Sequence, residues 1–215
     1  MNHFELSGGE LHCEDVSLAA IASAVGTPVY VYSTATLQRH FTVYRDAFRA
    51  HPELGDPLIA FAVKANSNVS VLKTLGDLGA GADTVSEGEI RRALAAGIPP
   101  ERIVFSGAGK TEAEIAFALE TGVLEINVES EPELEAVARV AERMGKRAPV
   151  ALRINPDVKA GAHDKISTGK ADSKFGIAIV EGERVYARAS NNAHLKVVGL
   201  ACHIGVMFDL PALGC

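Results

Sequence analysis

Residues 58–68 read Leu-Ile-Ala-Phe-Ala-Val-Lys-Ala-Asn-Ser-Asn and place one lysine, Lys64, between an apolar run and a polar turn. Short apolar runs bounded by polar turns are typical of strands that are buried on both faces. A lysine at a partly desolvated strand end has its charged form disfavoured, and a neutral amine is the nucleophile that forms a Schiff base. The competing interpretation is a lysine whose ammonium simply reaches water. Lys64 alone does not distinguish the two.

The same pattern of an apolar run followed by a helical segment repeats along the chain. Six runs predict buried parallel strands: Leu58–Val63, Ala80–Val85, Arg102–Phe105, Val123–Val128, Val150–Ile154 and Lys196–Cys202. A further run, Pro28–Tyr32, is set aside because the long polar stretch Thr34–Ala50 after it predicts an introductory helix. Three helices are predicted to begin at capping boxes, in which a hydroxyl residue precedes a glutamate by three positions. These boxes are Ser86/Glu89, Thr111/Glu114 and Ser130/Glu133.

Strands that alternate with helices predict an α/β protein with a parallel sheet. Six such units are three quarters of a (β/α)8 TIM barrel, a fold that typically needs about 250 residues. We therefore predict a partial barrel with about six of its eight βα units. A doubly wound open sheet competes, but no Gly-x-Gly-x-x-Gly follows the first strand. Two glycine-rich segments also fail as nucleotide motifs, because Thr84 and Val104 stand where glycine is required.

The composition narrows the possible partners. The net charge is −6, and no cluster of Lys and Arg alternates with aromatic residues, which argues against nucleic acid and anionic membranes. No run approaches transmembrane length, and the first residues do not form a signal peptide. The three cysteines are too few and too far apart for a disulfide framework, and no two histidines stand at i, i+4, so we expect no zinc site. These features predict a cytoplasmic protein that acts on small molecules.

Polar residues of several chemical types follow the predicted strands, where a barrel of this kind carries its chemistry. They are Lys64, Asp83, Ser86, Ser106, Gly107, Asn127, Glu129, Arg153, Asn155 and His203. An amine, an imidazole, a guanidinium and one or two carboxylates at a common mouth suit a carbonyl cofactor or substrate better than a metal. Taken singly, Arg153 could instead pair with a carboxylate, and His203 could bind a backbone carbonyl.

Three segments that contain some of these residues resemble a known family. Residues 61–68, 79–86 and 150–157 are similar to the pyridoxal-phosphate-dependent decarboxylases of the alanine-racemase-like barrel fold, or fold type III. Residues 165–169, 173–176 and 202–205 are most similar to the diaminopimelate decarboxylases within that family. The resemblance implies pyridoxal 5′-phosphate as cofactor and decarboxylation of meso-diaminopimelate to L-lysine in lysine biosynthesis. It also implies a homodimer for full-length members.

The resemblance further implies roles for individual residues. Lys64 would form the Schiff base with the cofactor and His203 would stack on its pyridine ring, which makes these two the implied catalytic residues. Asp83 would lie near the cofactor and orient Lys64. The implied cofactor-binding set is Lys64, Ala62, Asp83, Arg153, His203 and Gly205.

The chain departs from the family pattern after Gly205. The family continues with Ser-Gln and a helix, whereas this chain has Val206 in place of a phosphate-contacting serine and reaches Cys215 after a short tail. The resemblance is therefore interpreted as a C-terminally truncated decarboxylase without its C-terminal β-domain. In this interpretation residues 1–27 belong to that β-domain and are disordered here, 28–205 form an incomplete cofactor-binding barrel, and 206–215 are an aberrant tail. We expect the chain to be inactive or weakly active.

Several alternatives remain open at the level of sequence. One alternative is another decarboxylase of the same fold, acting on ornithine, arginine or a polyamine precursor, although residues 165–169 favour diaminopimelate. A non-catalytic fragment that binds pyridoxal phosphate would need Lys64 but no turnover. Alanine racemase is less favoured because Lys64-Ala-Asn is followed by Ser-Asn and not by Ala-Tyr-Gly. A Schiff-base aldolase would form its adduct without any added cofactor.

Overall fold

The computed structural model describes residues 3–156 and 175–203. Its first residues form an antiparallel sheet of β1 (Phe4–Ser7), β2 (Glu10–Cys13) and β3 (Val16–Ser17), followed by α1 (Leu18–Val25). Gly8 and Gly9 form the turn between β1 and β2 with φ of +59° and +87°. Two-residue hairpin turns with positive φ at both positions strongly favour glycine. This turn therefore closes a local hairpin.

The expectation that residues 1–27 are disordered is wrong for the part that the structure describes. The physical reason is a contact with the next helix, α2 (Thr34–Arg49). The Glu14 carboxylate accepts hydrogen bonds from the Ser33 hydroxyl at 2.7 Å and the Ala35 amide at 2.9 Å. Carboxylates at helix N-termini are stabilising. The N-terminal sheet is thus joined to the start of α2.

The main sheet consists of six parallel strands that are neighbours in the order of the chain. They are β4 (Ala60–Ala62), β5 (Gly81–Thr84), β6 (Ile103–Phe105), β7 (Glu125–Val128), β8 (Ala148–Asn155) and β10 (Leu195–Ala201). The two-residue strand β9 (Ile177–Ala178) pairs with the end of β8. All six predicted strands are confirmed, and residues 28–32 contain no strand. The sheet and its helices form a partial (β/α)8 barrel.

Helices follow the strands as predicted. They are α3 (Val69–Gly76), α4 (Glu87–Ala95), α5 (Glu112–Thr121), α6 (Glu131–Arg143) and α7 (Ile179–Ser190). Short 3-10 turns lie at Pro52–Leu54, Val63–Ala65 and Pro100–Arg102. Within the described ranges no helix combines the length and the apolar character that crossing a bilayer requires.

The three predicted capping boxes differ in detail. The box of Thr111 and Glu114 is complete. In the other two, the serine accepts the amide of the glutamate, but the glutamate accepts the amide of the residue before the serine, Val85 or Glu129. Both serines are fully extended, with φ near −160°. The glutamate therefore binds the end of the preceding strand and ties strand to helix.

The two faces of the parallel sheet carry different residues. Successive side chains of a strand point to opposite faces. The outer face packs against the helices, and its residues are buried and mostly large and apolar: Ala82, Thr84, Ile103, Phe105, Ile126, Val128, Val150, Leu152 and Ile154. The inner face carries small or polar residues: Ala60, Asp83, Val104, Asn127, Arg153 and Ala201. Barrel interiors are usually filled by bulky branched residues, so this inner face leaves space.

Candidate functional site

A cavity of about 470 Å³ lies at the C-terminal ends of the parallel strands. Every one of the six strands, or the residue just after it, contributes to its wall. The polar side chains among them are Lys64, Asp83, Ser106, Asn127, Glu129, Arg153 and His203. The cavity therefore collects most of the polar strand exits that the sequence predicts to meet.

Lys64 lies at the centre of the 3-10 turn that follows β4. Val63, next to it, is completely buried and anchors the turn. The polar residues that follow serve local structure, because Asn66 accepts the amide of Asn68 and Asn68 caps α3. Lys64 is exposed and also lines the cavity. Its side chain therefore reaches water, as the competing interpretation had it, at the site where the amine nucleophile is expected.

Asp83 is held by a chain of hydrogen bonds across three strands. The Ser106 hydroxyl donates to Asp83 Oδ1 at 2.6 Å and accepts from Asn127 Nδ2 at 2.9 Å. Because the amide nitrogen can only donate, the Ser106 proton is directed at Asp83. Asp83 Oδ1 is therefore the acceptor of the Ser106 hydrogen bond.

Arg153 and Glu129 form an ion pair beside this chain. Arg153 Nη1 donates to Glu129 Oε1 at 2.9 Å, and the two side chains are 15% and 3% exposed. The same oxygen accepts the Gly107 amide at 3.0 Å. The Arg153 guanidinium also lies 5.3 Å from the centre of the Phe175 ring. Arg153 thus pairs with a carboxylate, which was one of its two possible roles in the sequence, and it also lines the cavity.

Lys110 holds the loop that contains Gly107 in place through hydrogen bonds. Its ammonium donates to the carbonyls of Gly107 and Asn127 and to Glu133 Oε1, at 2.6 to 2.7 Å. Three acceptors match the three protons of the ammonium. The side chains of Lys110 and Glu133 are 1% and 9% exposed. This buried pair fixes the rim of the cavity between β6 and β7.

His203 lies at the other side of the cavity, two residues after β10. Burial lowers the pKa of its imidazole, and the positive charges of Arg153 and Lys64 lower it further. The Asp83 carboxylate opposes this shift. His203 is therefore predominantly neutral near pH 7.

Four of the six predicted cofactor-binding residues share this cavity: Lys64, Asp83, Arg153 and His203. Ala62 instead lines a groove between β4 and α2. Gly205 lies outside the described residues, as do Val206 and the loop 165–169.

Four cavity residues were recognised as strand exits but not assigned to the cofactor: Ser106, Gly107, Asn127 and Glu129. A signal for two of them exists in β7, where Glu125 and Asn127 alternate with buried Ile126 and Val128, and Glu129 continues the polar series. A polar residue at every second position of an otherwise buried strand indicates a functional inner face. Phe175 has no comparable signal in the sequence.

Comparisons with known proteins agree on one family. Residues 35–211 match the family model described as pyridoxal-dependent decarboxylase, pyridoxal binding domain. The chain is 52% identical over 205 residues to diaminopimelate decarboxylase of Pseudomonas aeruginosa, which covers 95% of this chain and 48% of that protein.

Two solved structures are similar over the same length. Diaminopimelate decarboxylase from M. jannaschii in complex with L-lysine has a TM-score of 0.87 and 35% identity, covering 95% of this chain and 48% of the other. The Helicobacter pylori protein complexed with L-lysine has a TM-score of 0.82 and 42% identity, covering 87% and 46%. The chain spans about half the length of these relatives.

Proposed function

Because this chain belongs to the pyridoxal-dependent decarboxylase family, we propose that its cavity holds pyridoxal 5′-phosphate for the decarboxylation of meso-diaminopimelate to L-lysine. The observation that carries this proposal is the convergence of Lys64, Asp83, Arg153 and His203 on one cavity at the strand ends. The choice of substrate rests on the relatives of about 50% identity, which are named diaminopimelate decarboxylases.

The residues of the cavity fit this cofactor. An aldehyde needs an amine, and Lys64 is at the mouth. A polar aromatic ring needs acceptors for its donors, and two buried acceptor atoms in the described part of the chain, Asn127 Oδ1 and Glu129 Oε2, have no hydrogen-bond partner. The small residues of the inner face leave the space. Lys64, Asp83, Arg153 and His203 would hold the cofactor.

Pyridoxal phosphate supplies an aldehyde that condenses with amines and a protonated ring that withdraws the electrons left when a carboxylate departs as CO2. The protein supplies position and proton transfer. Lys64 provides the amine nucleophile, and once released it can carry a proton at Nζ. Neutral His203 can lie against a flat ring without adding charge, which is an orientation effect. Asp83, whose Oδ1 accepts the Ser106 hydroxyl, offers a carboxylate in the same cavity as Lys64 and Arg153.

We also propose a domain organisation for the active protein. Residues 1–27 would belong to the β-domain, and residues 28–205 would form the cofactor-binding barrel. The exposed Leu6, at 77% of its surface, supports a partner for the N-terminal sheet. The active form would be a homodimer in the cytoplasm that acts on an amino-acid substrate, without nucleic-acid or membrane partners.

A spectral titration followed by product analysis tests the proposal. Purified chain is mixed with pyridoxal phosphate, and the absorbance band of the lysine adduct is measured for the unsubstituted chain and for Lys64→Ala. Lysine and CO2 are then measured with meso-diaminopimelate, ornithine or arginine as substrate. We expect a band that requires Lys64 and, where any product forms, product from meso-diaminopimelate. A band that persists in Lys64→Ala, or product from ornithine or arginine alone, would contradict the proposal.

A further inference from the structure

Glu129 is held in place more firmly than an ordinary strand-end carboxylate. Its side chain is only 3% exposed, and it lies between the end of β7 and the capping residue of α6, Ser130. Its backbone amide donates to Glu133 Oε2 at 2.9 Å. Glu133 is itself bound by buried Lys110. The backbone of Glu129 is thus fixed from the helix side, and Glu129 is one of the residues that line the cavity.

The two oxygens of this carboxylate are used unequally. Oε1 accepts both the Arg153 guanidinium and the Gly107 amide, at 2.9 and 3.0 Å. Oε2 is buried and has no hydrogen-bond partner among the described residues. A buried acceptor without a donor costs about 1–3 kcal/mol. An arrangement that served stability alone would spread the two donors over the two oxygens.

A second unpaired acceptor lies on the same strand. Asn127 Oδ1 is also buried without a partner in the described part of the chain. Residues 127 and 129 are two positions apart, so their side chains lie on the same, inner face of the sheet. Both residues line the cavity. Two residues that line the cavity at the end of β7 therefore each hold a buried acceptor atom that no donor among the described residues uses.

We propose that Glu129 is a positioning residue of the cofactor site. Its Oε1 fixes the Arg153 guanidinium and the Gly107 amide, and its Oε2 accepts a hydrogen bond from an O–H or N–H donor that arrives with pyridoxal phosphate. This inference rests on the proposed function, because that function supplies the cofactor. It adds a residue to the site that neither the motifs nor the family resemblance assigned.

The first test compares two identical substitutions on one strand. Glu129→Gln keeps the shape and an acceptor for Arg153 but removes the charge and puts an amide NH2 at the position of Oε2. Glu125→Gln changes the glutamate that begins β7; this residue lies four positions before Glu129 and does not line the cavity. The dissociation constant of pyridoxal phosphate is measured by absorbance titration, and thermal unfolding is measured beside it. We expect Glu129→Gln to weaken binding by about tenfold, equivalent to about 1.4 kcal/mol, and Glu125→Gln to leave binding unchanged.

A second measurement does not depend on any variant being folded. The side-chain carboxyl ¹³C signals of Glu129 and Glu125 are followed in the unsubstituted chain as pyridoxal phosphate is added. The Glu129 signal should shift in step with saturation, and the Glu125 signal should not. Equal binding by Glu129→Gln and the unsubstituted chain, or a Glu129 signal that stays constant at saturation, overturns this inference and leaves the proposed function standing. An unsubstituted chain that binds no pyridoxal phosphate overturns both.

Discussion

The outer and inner faces of the same six strands differ in packing: the outer face is buried against helices, and the inner face lines a cavity. On β6, Phe105 points outward into the helix layer and is completely buried, whereas its neighbour Val104 points inward and lines the cavity. The outer face therefore supplies the apolar burial that stabilises the fold. The inner face has less apolar burial and instead provides space and polar groups. Residues that stabilise the fold and residues that line the site therefore alternate along each strand.

The largest expected effect contrasts these two neighbours. Phe105→Ala should lower the free energy of unfolding by about 3–5 kcal/mol, because it leaves a cavity in a closely packed layer. Val104→Ala should cost about 1 kcal/mol or less, because the removed methyl groups face open space. Urea denaturation of both variants measures the difference. Similar losses for the two substitutions would show that the inner face is packed like the outer one.

The next effect concerns the rim where the two faces meet. Lys110→Met should cost about 3 kcal/mol, because it leaves buried Glu133 and two carbonyls without their donor. Lys73→Met is the matched control, since Lys73 and Asp77 form an ion pair at 2.8 Å in which both side chains are more than 60% exposed. Exposed pairs of this kind contribute about 0–1 kcal/mol. If the two substitutions cost the same in urea denaturation, the Lys110 contacts do not fix the rim.

A smaller effect is expected when the inner face is filled. Val104→Phe places a ring in the cavity and should weaken binding of pyridoxal phosphate by at least about tenfold, or about 1.4 kcal/mol. The free energy of unfolding should change little, because the ring enters existing space and does not overpack a core. Absorbance titration and urea denaturation are carried out on the same preparation. Unchanged affinity would mean that the cofactor lies elsewhere.

The smallest effect is the titration of His203. Burial, followed by Arg153 and Lys64, lowers its pKa, so its NMR titration midpoint should lie below about 6.5. A lowered pKa in the folded state means that the stability contributed by neutral His203 is complete above about pH 6.5 and is lost as the pH falls through the lowered value.

Substitution of the neighbouring charges gives the sign of the electrostatic contribution. Arg153→Gln should raise the His203 pKa, because it removes a positive charge, and Asp83→Asn should lower it, because it removes a negative one. Shifts in the reverse directions, or a midpoint above about 6.5 in the unsubstituted chain, would place His203 outside this electrostatic environment.

The sequence predicts the outer face better than the inner one, for a physical reason. Continuous apolar runs bounded by turns are sufficient to locate all six strands, because burial leaves a strong local pattern. The complete capping box at Thr111 could also be predicted, because its two partners are only three residues apart in the sequence. The Gly8-Gly9 turn is a local signal for the N-terminal hairpin, but the contact of Glu14 with Ser33 and Ala35 that joins this hairpin to α2 links residues distant in the chain and could not be predicted.

The site could be predicted by residue type but not by geometry. The amine, imidazole, guanidinium and carboxylate at the strand ends are visible in the sequence, and Lys64, Asp83, Arg153 and His203 do share one cavity. The sequence left open whether Lys64 is desolvated or reaches water, which depends on the 3-10 turn that begins at Val63, the last residue of its apolar run. The unequal use of the Glu129 oxygens depends on three separate chain segments. No local pattern in the sequence encodes such an arrangement.

Chemical trapping is the most direct test of whether the cavity presents Lys64 to an aldehyde cofactor. The chain is incubated with pyridoxal phosphate, reduced with borohydride, digested and analysed by mass spectrometry. We expect one dominant pyridoxyl group, on the peptide that contains Lys64, and little on exposed Lys73 or buried Lys110. Label spread over surface lysines, or no label at Lys64, would contradict it.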